Sequence, residues 1–310
     1  MGGQAPVAGV IDLGTNTVLL LVGRLTVDGQ VEILADVHAI GRLGEQVDRH
    51  GSVQAQALQR VQAIVLQHAR HATRLGAQRL VAYGTSALRD AANRDEICAA
   101  IERRTGVPVR VLDATDEARL TFVGAAWGLG VPDQYAVLDI GGGSTEMAIG
   151  DRSGARRWGS VDMGAVRLTE RHFPTLPPTP EQVARARQAV IAALDALPPP
   201  GAHALVGVAG TVTTLGALDL GLACFDAARV HGHTLAAARV SALADMLGHL
   251  DYRALAALPG VTAGRADLIT AGALILDTAL AVWGQTAIRV STHGLRYGLL
   301  LRELGLLPGA

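Results

Sequence analysis

Two short stretches of this sequence are nearly the same: VIDLGTNT at residues 10–17 and VLDIGGGST at residues 137–145. Each is an apolar run that contains an aspartate and leads at once into glycine and hydroxyl residues. This pattern is typical of a buried strand that delivers a carboxylate into a tight turn. Glycine lets the backbone approach a ligand closely, and successive N–H groups in such turns form concave anion sites. Two copies about a domain apart predict a duplicated phosphate clamp.

The two copies open the same order of predicted elements. After the first, a meander of three strands precedes an alternation of helices and strands, which indicates a mixed α/β layer. The order begins again at residue 135, and a third glycine turn, GVAGTVTT at residues 207–214, leads into a helix. A proline-rich break at residues 174–180 precedes a predicted helix at 181–197. Mostly helical sequence then runs to residue 283, followed by a strand at 287–291 and a final helix at about 294–306.

This plan resembles the actin-like (ribonuclease H-like) phosphotransfer superfamily. The resemblance implies an α/β fold of two actin-like domains, each a mixed sheet flanked by helices, with the active site in the cleft between them. The predicted first domain covers residues 1–123, with the C-terminal helix at about 296–310 packing back on it. The second domain covers residues 124–295.

Composition excludes several function classes. The chain has 310 residues, of which 49% are hydrophobic and 18% are charged, which is typical of a well-packed globular protein. Its 27 basic and 28 acidic residues nearly cancel, so no global field attracts nucleic acid or an anionic membrane, although a local basic groove is compatible with this balance. Every basic residue other than histidine is arginine, because the sequence contains no lysine. A Walker lysine and a Schiff-base mechanism are therefore excluded.

Other features predict a cytoplasmic protein without membrane spans. The apolar stretches at residues 204–224 and 268–283 contain Gly210, Asp219 and Asp277, which favours buried strand–turn–helix units. Residues 1–6 lack a basic segment and lead straight into a predicted strand, unlike a secretory signal. Cys98 and Cys224 are predicted to be small buried hydrophobic residues.

Two segments between the aspartate loops narrow the function. They are YGTSALRDA at residues 83–91 and VLDATDEARL at residues 111–120. Both look like signature segments of the exopolyphosphatase and guanosine pentaphosphate phosphohydrolase (Ppx/GppA) family, in its short two-domain form. The second aspartate loop with its trailing Glu146 matches the same family. With the first loop, four ordered matches extend over the chain.

The resemblance implies that Glu117 activates the attacking water and that Arg89 grips phosphate. From the residues alone, Glu117 beside Asp116 also fits a solvated helix N-terminus that complements the helix dipole. Arg89 also fits a surface ion pair with Asp90 or Asp95.

The remaining predicted site residues bind phosphate or metal. Those expected to supply hydrogen-bond donors to phosphate are Thr15, Asn16, Gly141, Gly142, Gly143, Ser144, Thr145, Gly210 and Thr211. Asp12, Asp139 and Glu146 are the predicted ligands of Mg²⁺ (or Mn²⁺), because Mg²⁺ takes a few carboxylates plus substrate oxygens. For Asp12, capping its own turn is an equally compatible role.

The resemblance therefore predicts an exopolyphosphatase that releases terminal orthophosphate from inorganic polyphosphate, or a guanosine pentaphosphate (pppGpp) phosphohydrolase. Alternatives are an actin-like ATP-binding protein, a sugar or acid kinase, and a member that binds polyphosphate or the alarmone without hydrolysing it. No nucleic-acid or membrane partner is predicted, and a homodimer is usual for relatives.

The sequence departs from the family pattern at two places. Asp113-Ala114 stands where relatives commonly have Ser-Gly, and Thr292 stands where they commonly have an aspartate before the Gly-x-Arg segment. The pair His231 and His233 lacks a third ligand at suitable spacing, so a structural or substrate-edge role is expected.

Overall fold

The computed structural model describes residues 6–262 and 264–307. The chain divides into two compact units, one from residues 1–120 with 295–310 and the other from residues 121–294.

The first unit is built on a five-stranded mixed sheet in the order β3-β2-β1-β4-β5. Its strands are β1 (Val7–Leu13), β2 (Thr17–Leu25), β3 (Val31–Ile40), β4 (Arg79–Gly84) and β5 (Val109–Val111). The first three form the predicted antiparallel meander, whereas β1, β4 and β5 run parallel. β1 is almost wholly buried, as its continuous apolar sequence requires of a central strand with both faces covered.

Helices cover this sheet. They are α1 (Val47–His50), α2 (Ala55–Arg74), α3 (Ser86–Asp90), α4 (Arg94–Thr105) and the last helix of the chain (Leu295–Glu303). A further helix, α5 (Ala114–Ala126), begins in this unit and contains the boundary to the second unit. The long helix α2 buries Ala57, Val61, Val65 and Ala72 at helical spacing against the core.

The last helix is tied to the first unit by charged groups. Arg296 Nε and a terminal nitrogen lie 3.0 and 2.8 Å from the two carboxylate oxygens of Asp36 on β3. The Tyr297 hydroxyl donates to the same carboxylate at 3.1 Å. Burial opposes ionisation of Asp36, but its hydrogen bonds with His38 and Arg296 outweigh that effect and hold its pKa well below the usual range. Arg296 of the Gly-x-Arg segment is thus part of the framework of this unit.

The second unit repeats the plan with one added strand, in the order β10-β11-β9-β6-β7-β8. The strands are β6 (Gln134–Ile140), β7 (Thr145–Asp151), β8 (Gly154–Val161), β9 (Ala204–Val208), β10 (Thr234–Ala236) and β11 (Ala287–Val290). Again an antiparallel meander, β6-β7-β8, shares its first strand with three parallel strands, here β6, β9 and β11, and the added β10 pairs antiparallel with β11.

Its helices are α6 (Ala165–His172), α7 (Pro180–Leu194), α8 (Ala209–Asp219), α9 (Ala227–Val230), α10 (Ala237–Gly248), α11 (Tyr252–Ala257) and α12 (Ile269–Val282). The last helix of the chain is α13. A capping box at Thr179 and Gln182, with Pro180 in the first turn, starts α7. The apolar helix α12 packs inside the unit against α6, α7, α8 and α10.

The predicted fold class, two mixed sheets flanked by helices, is confirmed. Sequence periodicity missed α6 and β10, which are short elements beside turns. The prediction of a buried Cys224 is wrong: its side chain is exposed in the loop before α9, and Cys98 is half-buried on α4. An apolar neighbourhood in sequence did not place Cys224 inside, because α8 ends at Asp219, Gly221 turns the chain with a φ of 61°, and the loop beyond the buried Leu222 lies at the surface.

Within the described ranges, no helix is both long and apolar enough to cross a membrane. Residues 1–5, on which the prediction about a secretory signal largely rests, and residues 308–310 of the predicted C-terminal helix lie outside the described residues.

We expect Arg296→Met to lower the free energy of unfolding by about 2 kcal/mol, because it leaves the Asp36 carboxylate half-buried without its bidentate partner. Denaturant unfolding at pH 7 measures this loss. Since the pKa of Asp36 is depressed in the fold, its contribution is present above the unfolded-state pKa and disappears as pH falls through the folded-state pKa. The deficit of the variant should therefore shrink in acid, and a deficit that is constant with pH would contradict the assignment.

Candidate functional site

In the first unit, the predicted site residues follow the carboxyl ends of parallel strands. β1 leads into the turn at residues 14–17, β4 into Thr85 and α3, and β5 into Asp113 and α5. Parallel strands present their carboxyl ends at one edge of a sheet, and ligands of such folds bind outside that edge. Asp12, Arg89 and Glu117 are therefore delivered to the same edge.

The second unit does the same with β6, β9 and β11. These strands lead into the turn at residues 141–144, the third glycine turn, and the segment at residues 291–294. The predicted phosphate residues of this unit, from Gly141 to Thr145 and at Gly210 and Thr211, thus gather at one edge of its sheet.

The two aspartate loops are copies of one turn. In the first glycine loop, residues 14–17, Gly14 N donates to Thr17 O at 2.9 Å. In the second glycine loop, residues 141–144, Gly141 N donates to Ser144 O at 3.0 Å. The sequence repeat is therefore a repeat of local geometry.

The carbonyl groups of the first glycine loop are held by the segment that follows β3. Thr15 O accepts from Gly44 N at 2.9 Å, and Asn16 O accepts from Gly41 N at 3.0 Å and Arg42 N at 2.9 Å. Arg42 has a φ of 48°, a left-handed conformation that costs energy for a residue with a side chain. In a trans peptide the N–H points opposite to the C=O. The N–H groups of Asn16 and Thr17 are thus turned to the other side of the loop.

The N-terminus of α6 holds the carbonyl groups of the second glycine loop. Ala165 N donates to Gly141 O at 2.9 Å, and Val166 N donates to Gly142 O at 2.8 Å. The approach is so close that a Cβ on Gly164 would lie 2.4 Å from Gly142 O. The N–H groups of Gly142 and Gly143 are turned away from α6 and can face an anion.

Thr145 supports this loop from within. It is fully buried, and its hydroxyl donates to Met163 O. That hydroxyl, which the sequence suggested as a phosphate donor, is engaged inside the unit.

An arginine that sequence reasoning missed lies at the third glycine turn. A Cβ on Gly210 would lie 1.1 Å from a terminal nitrogen of Arg265, so the guanidinium rests directly against Gly210. Thr211 beside it is buried. Arg265 is 55 positions from Gly210 in the sequence and carries no local motif that marks it.

Glu117 and Arg89 form the charged centre of the first unit. Arg89 Nη1 lies 2.6 Å from Glu117 Oε2 and 3.4 Å from Leu112 O. Glu117 is only 8% exposed, so its interpretation as part of a solvated helix N-terminus is wrong. The cause is the position of α5, which begins at the edge of the sheet and turns Glu117 inward to Arg89.

Asp113 fixes the start of α5. Its carboxylate accepts from Asp116 N at 2.8 Å, and its carbonyl accepts from Glu117 N at 3.0 Å. This is the bond of a helix N-cap, a role that serine and aspartate fill about equally well. The departure from Ser-Gly at this position therefore leaves the support of Glu117 in place.

Burial raises the pKa of the Glu117 carboxyl above its ordinary value, with the neighbouring Asp90 adding to the effect. The charge and hydrogen bond of Arg89 offset this only in part. A carboxylate with a raised pKa is a stronger base.

Asp139 and Glu146 are suited to a metal ion. They are directly opposed partners on the antiparallel strands β6 and β7, so their side chains lie on the same face. Glu146 is buried, and one of its carboxylate oxygens accepts from the Ser160 hydroxyl at 2.8 Å. Among the residues described, no cluster of three or more His, Cys, Asp or Glu side chains is placed to hold a metal. Two carboxylates fit Mg²⁺, which completes its shell with water and substrate oxygens.

His231 and His233 contact different partners. Thr292 N donates to His231 Nδ1 at 3.3 Å, whereas His233 Nε2 lies 2.8 Å from Asp219. Thr292 and His231 thus brace the segment after β11, and His233 belongs to an ion-pair network with Asp219 and Arg239.

Glycine loops with N–H groups that can face an anion, and a buried carboxylate of raised pKa in contact with an arginine, are features that hydrolysis of a phosphate group requires. The profile of the Ppx/GppA phosphatase family matches residues 24–307. The chain belongs to this family and is a phosphoanhydride hydrolase.

Curated relatives agree. Exopolyphosphatase 2 of Mycobacterium tuberculosis is 34% identical over 95% of this chain and 98% of its own length. The guanosine-5'-triphosphate,3'-diphosphate pyrophosphatase of Vibrio parahaemolyticus is 29% identical over 96% of this chain and 59% of its own length.

Solved structures show the same architecture. An exopolyphosphatase-like protein matches with a TM-score of 0.91 at 31% identity, over 96% of this chain and 99% of that chain. The Aquifex aeolicus family member matches with a TM-score of 0.83 at 28% identity, over 99% of this chain and all of that chain.

We expect Ala209→Gly to raise the free energy of unfolding by about 1 kcal/mol, because Ala209, within the third glycine turn, has a left-handed φ of 68°. Thermal unfolding measures the gain. Ala217→Gly, inside helix α8, is the control and should destabilise. A loss of stability in Ala209→Gly would contradict the strain.

We expect Arg89→Met to move the acid limb of the pH profile for orthophosphate release to higher pH. The base acts when ionised, so activity is present above the pKa of Glu117 and is lost as pH falls through it. Removing the Arg89 charge raises that pKa further. Arg94→Met, which removes an exposed arginine next to Asp95, should leave the limb in place. An unmoved limb in Arg89→Met would show that Glu117 is not the titrating base.

Proposed function

We propose that this protein is an exopolyphosphatase that releases terminal orthophosphate from inorganic polyphosphate. The buried Glu117 in contact with Arg89 carries the proposal, because it joins a carboxylate of raised pKa to a phosphate-binding cation at the edge where the first glycine loop also lies. Relatives of the same length favour polyphosphate: this chain spans 98% of exopolyphosphatase 2 but only 59% of the pppGpp-directed relative.

In the proposed reaction, the glycine loops donate backbone N–H groups to the phosphate oxygens. Glu117 orients a water molecule and accepts its proton as the water oxygen bonds to the terminal phosphorus. The phosphoanhydride P–O bond breaks, and the leaving oxygen stays on the shortened chain. Arg89 balances charge that spreads over the equatorial oxygens.

Asp139 and Glu146 are the proposed ligands of Mg²⁺. Because the described residues include no cluster of three such side chains, Asp12 is not proposed as a third ligand. When bound, the ion neutralises charge on the phosphate oxygens. Mn²⁺ could take the same oxygen ligands. The location in the cytoplasm and the homodimer remain predictions.

Hydrolysis of pppGpp is the second candidate, and the family match favours it together with polyphosphate. Orthophosphate release should be measured side by side on long polyphosphate, short polyphosphate and pppGpp. We expect the greatest kcat/KM on polyphosphate. A greater value on pppGpp would reverse the assignment, and no release from any of the three would refute it.

We expect Glu117→Gln to lower kcat on the preferred substrate by about 10²- to 10⁴-fold, the usual contribution of general-base catalysis. The substitution keeps the side chain's size and removes its basicity. Glu96→Gln is the matched control, because Glu96 is exposed in the first turn of α4. If both variants kept the activity of the wild type, Glu117 would not be the base.

A further inference from the structure

One further carbonyl group of the second glycine loop is held, and its donor is a side chain. Arg167, on the first turn of α6, donates from Nε to Gly143 O at 2.9 Å. The residue is half-buried, with its backbone N–H 3.3 Å from Gly142 O. Arg167 therefore contacts two successive peptide groups of the loop.

The first glycine loop shows why this bond matters. Aligning Gly14 with Gly141 through their matching turn bonds makes Asn16 the counterpart of Gly143. Asn16 O is held by the backbone N–H groups of Gly41 and Arg42. The same carbonyl is thus fixed in both units, by backbone in the first and by the Arg167 side chain in the second.

The Gly143 carbonyl and the Ser144 N–H belong to one rigid, trans peptide plane. Fixing the oxygen therefore fixes the direction of the N–H. The peptide plane that follows a glycine rotates easily, because glycine lacks a Cβ. A preorganised donor stabilises an anion more than one that must first be ordered.

We propose that Arg167 is a positioning residue that aims the Ser144 N–H at the phosphate group of the substrate. This inference rests on the proposed function, in which the second glycine loop binds phosphate. It assigns Arg167 the role of a hydrogen-bond donor to the loop rather than that of a positive charge on the ligand.

The side-chain atoms permit a test that separates these two roles. The donor is Nε, and glutamine carries an N–H at the corresponding position of its side chain without the charge. Methionine has nearly the same length and carries neither the donor nor the charge. Arg171→Met is the matched control, since Arg171 is exposed one turn further along α6.

The experiment measures binding of inorganic tripolyphosphate with Mg²⁺ by calorimetry, in the Glu117→Gln background so that hydrolysis is not read. We expect Arg167→Met to raise Kd about tenfold, the loss of one well-placed hydrogen bond. Arg167→Gln and Arg171→Met should remain within about threefold of the parent. Melting temperatures check folding, and Arg167→Ala serves as a second variant without the donor.

Three results would overturn the proposal. They are unchanged binding in Arg167→Met and Arg167→Ala, an equal loss in Arg167→Gln and Arg167→Met, and an equal loss in Arg171→Met. Failure of the proposed function would be seen separately, as absence of orthophosphate release by the wild-type protein, whereas the binding series reads only the loop.

Discussion

The N–H groups of a glycine loop can face a phosphate only if the carbonyl groups of the same peptides are hydrogen-bonded on the side of the protein. Its N–H groups must face the ligand, so its carbonyl groups must face the protein and find donors there. In this chain those donors come from the segment after β3 for the first glycine loop and from α6 for the second. The strained Arg42, the closely packed Gly164 and the side chain of Arg167 are all consequences of that need.

The two units are therefore more alike in their glycine loops than in the elements that support those loops. In each sheet an antiparallel meander of three strands shares its first strand, β1 or β6, with a set of three parallel strands, and both turns close with the same bond. The supporting elements differ because a different segment of the chain follows the three-stranded meander in each unit. The charged pair of Glu117 and Arg89 is not duplicated. These two residues lie on helices of the first unit, whereas Asp139 and Glu146 face each other across two strands of the second.

The sequence predicted those structural features that repeat along the chain or that have a local hydrophobic period. The two loops, the meander and the amphipathic α2 follow from short-range patterns. The family resemblance selected Glu117 and Arg89 as candidates, and the structure places them in contact. Contacts between residues remote in sequence were beyond such patterns. Arg265 against Gly210 depends on how the segment before α12 packs, and the bond from Arg167 depends on α6, a helix of eight residues that periodicity missed. Burial of Glu117 likewise follows from the position of α5, since the sequence alone fits an exposed helix end.

The return of the last helix to the first unit has a consequence for synthesis. α13 packs on β1 and β2, its Gly298 approaches the backbone of Leu120, and its Glu303 binds the Tyr83 hydroxyl and Arg79. Domains usually fold in the order in which the ribosome delivers them. Here the second unit is one continuous segment and can close while the first still waits for residues 295–303. During translation the N-terminal sheet therefore keeps an uncovered apolar face for longest, and that face is where a nascent chain of this protein is most exposed to misassociation.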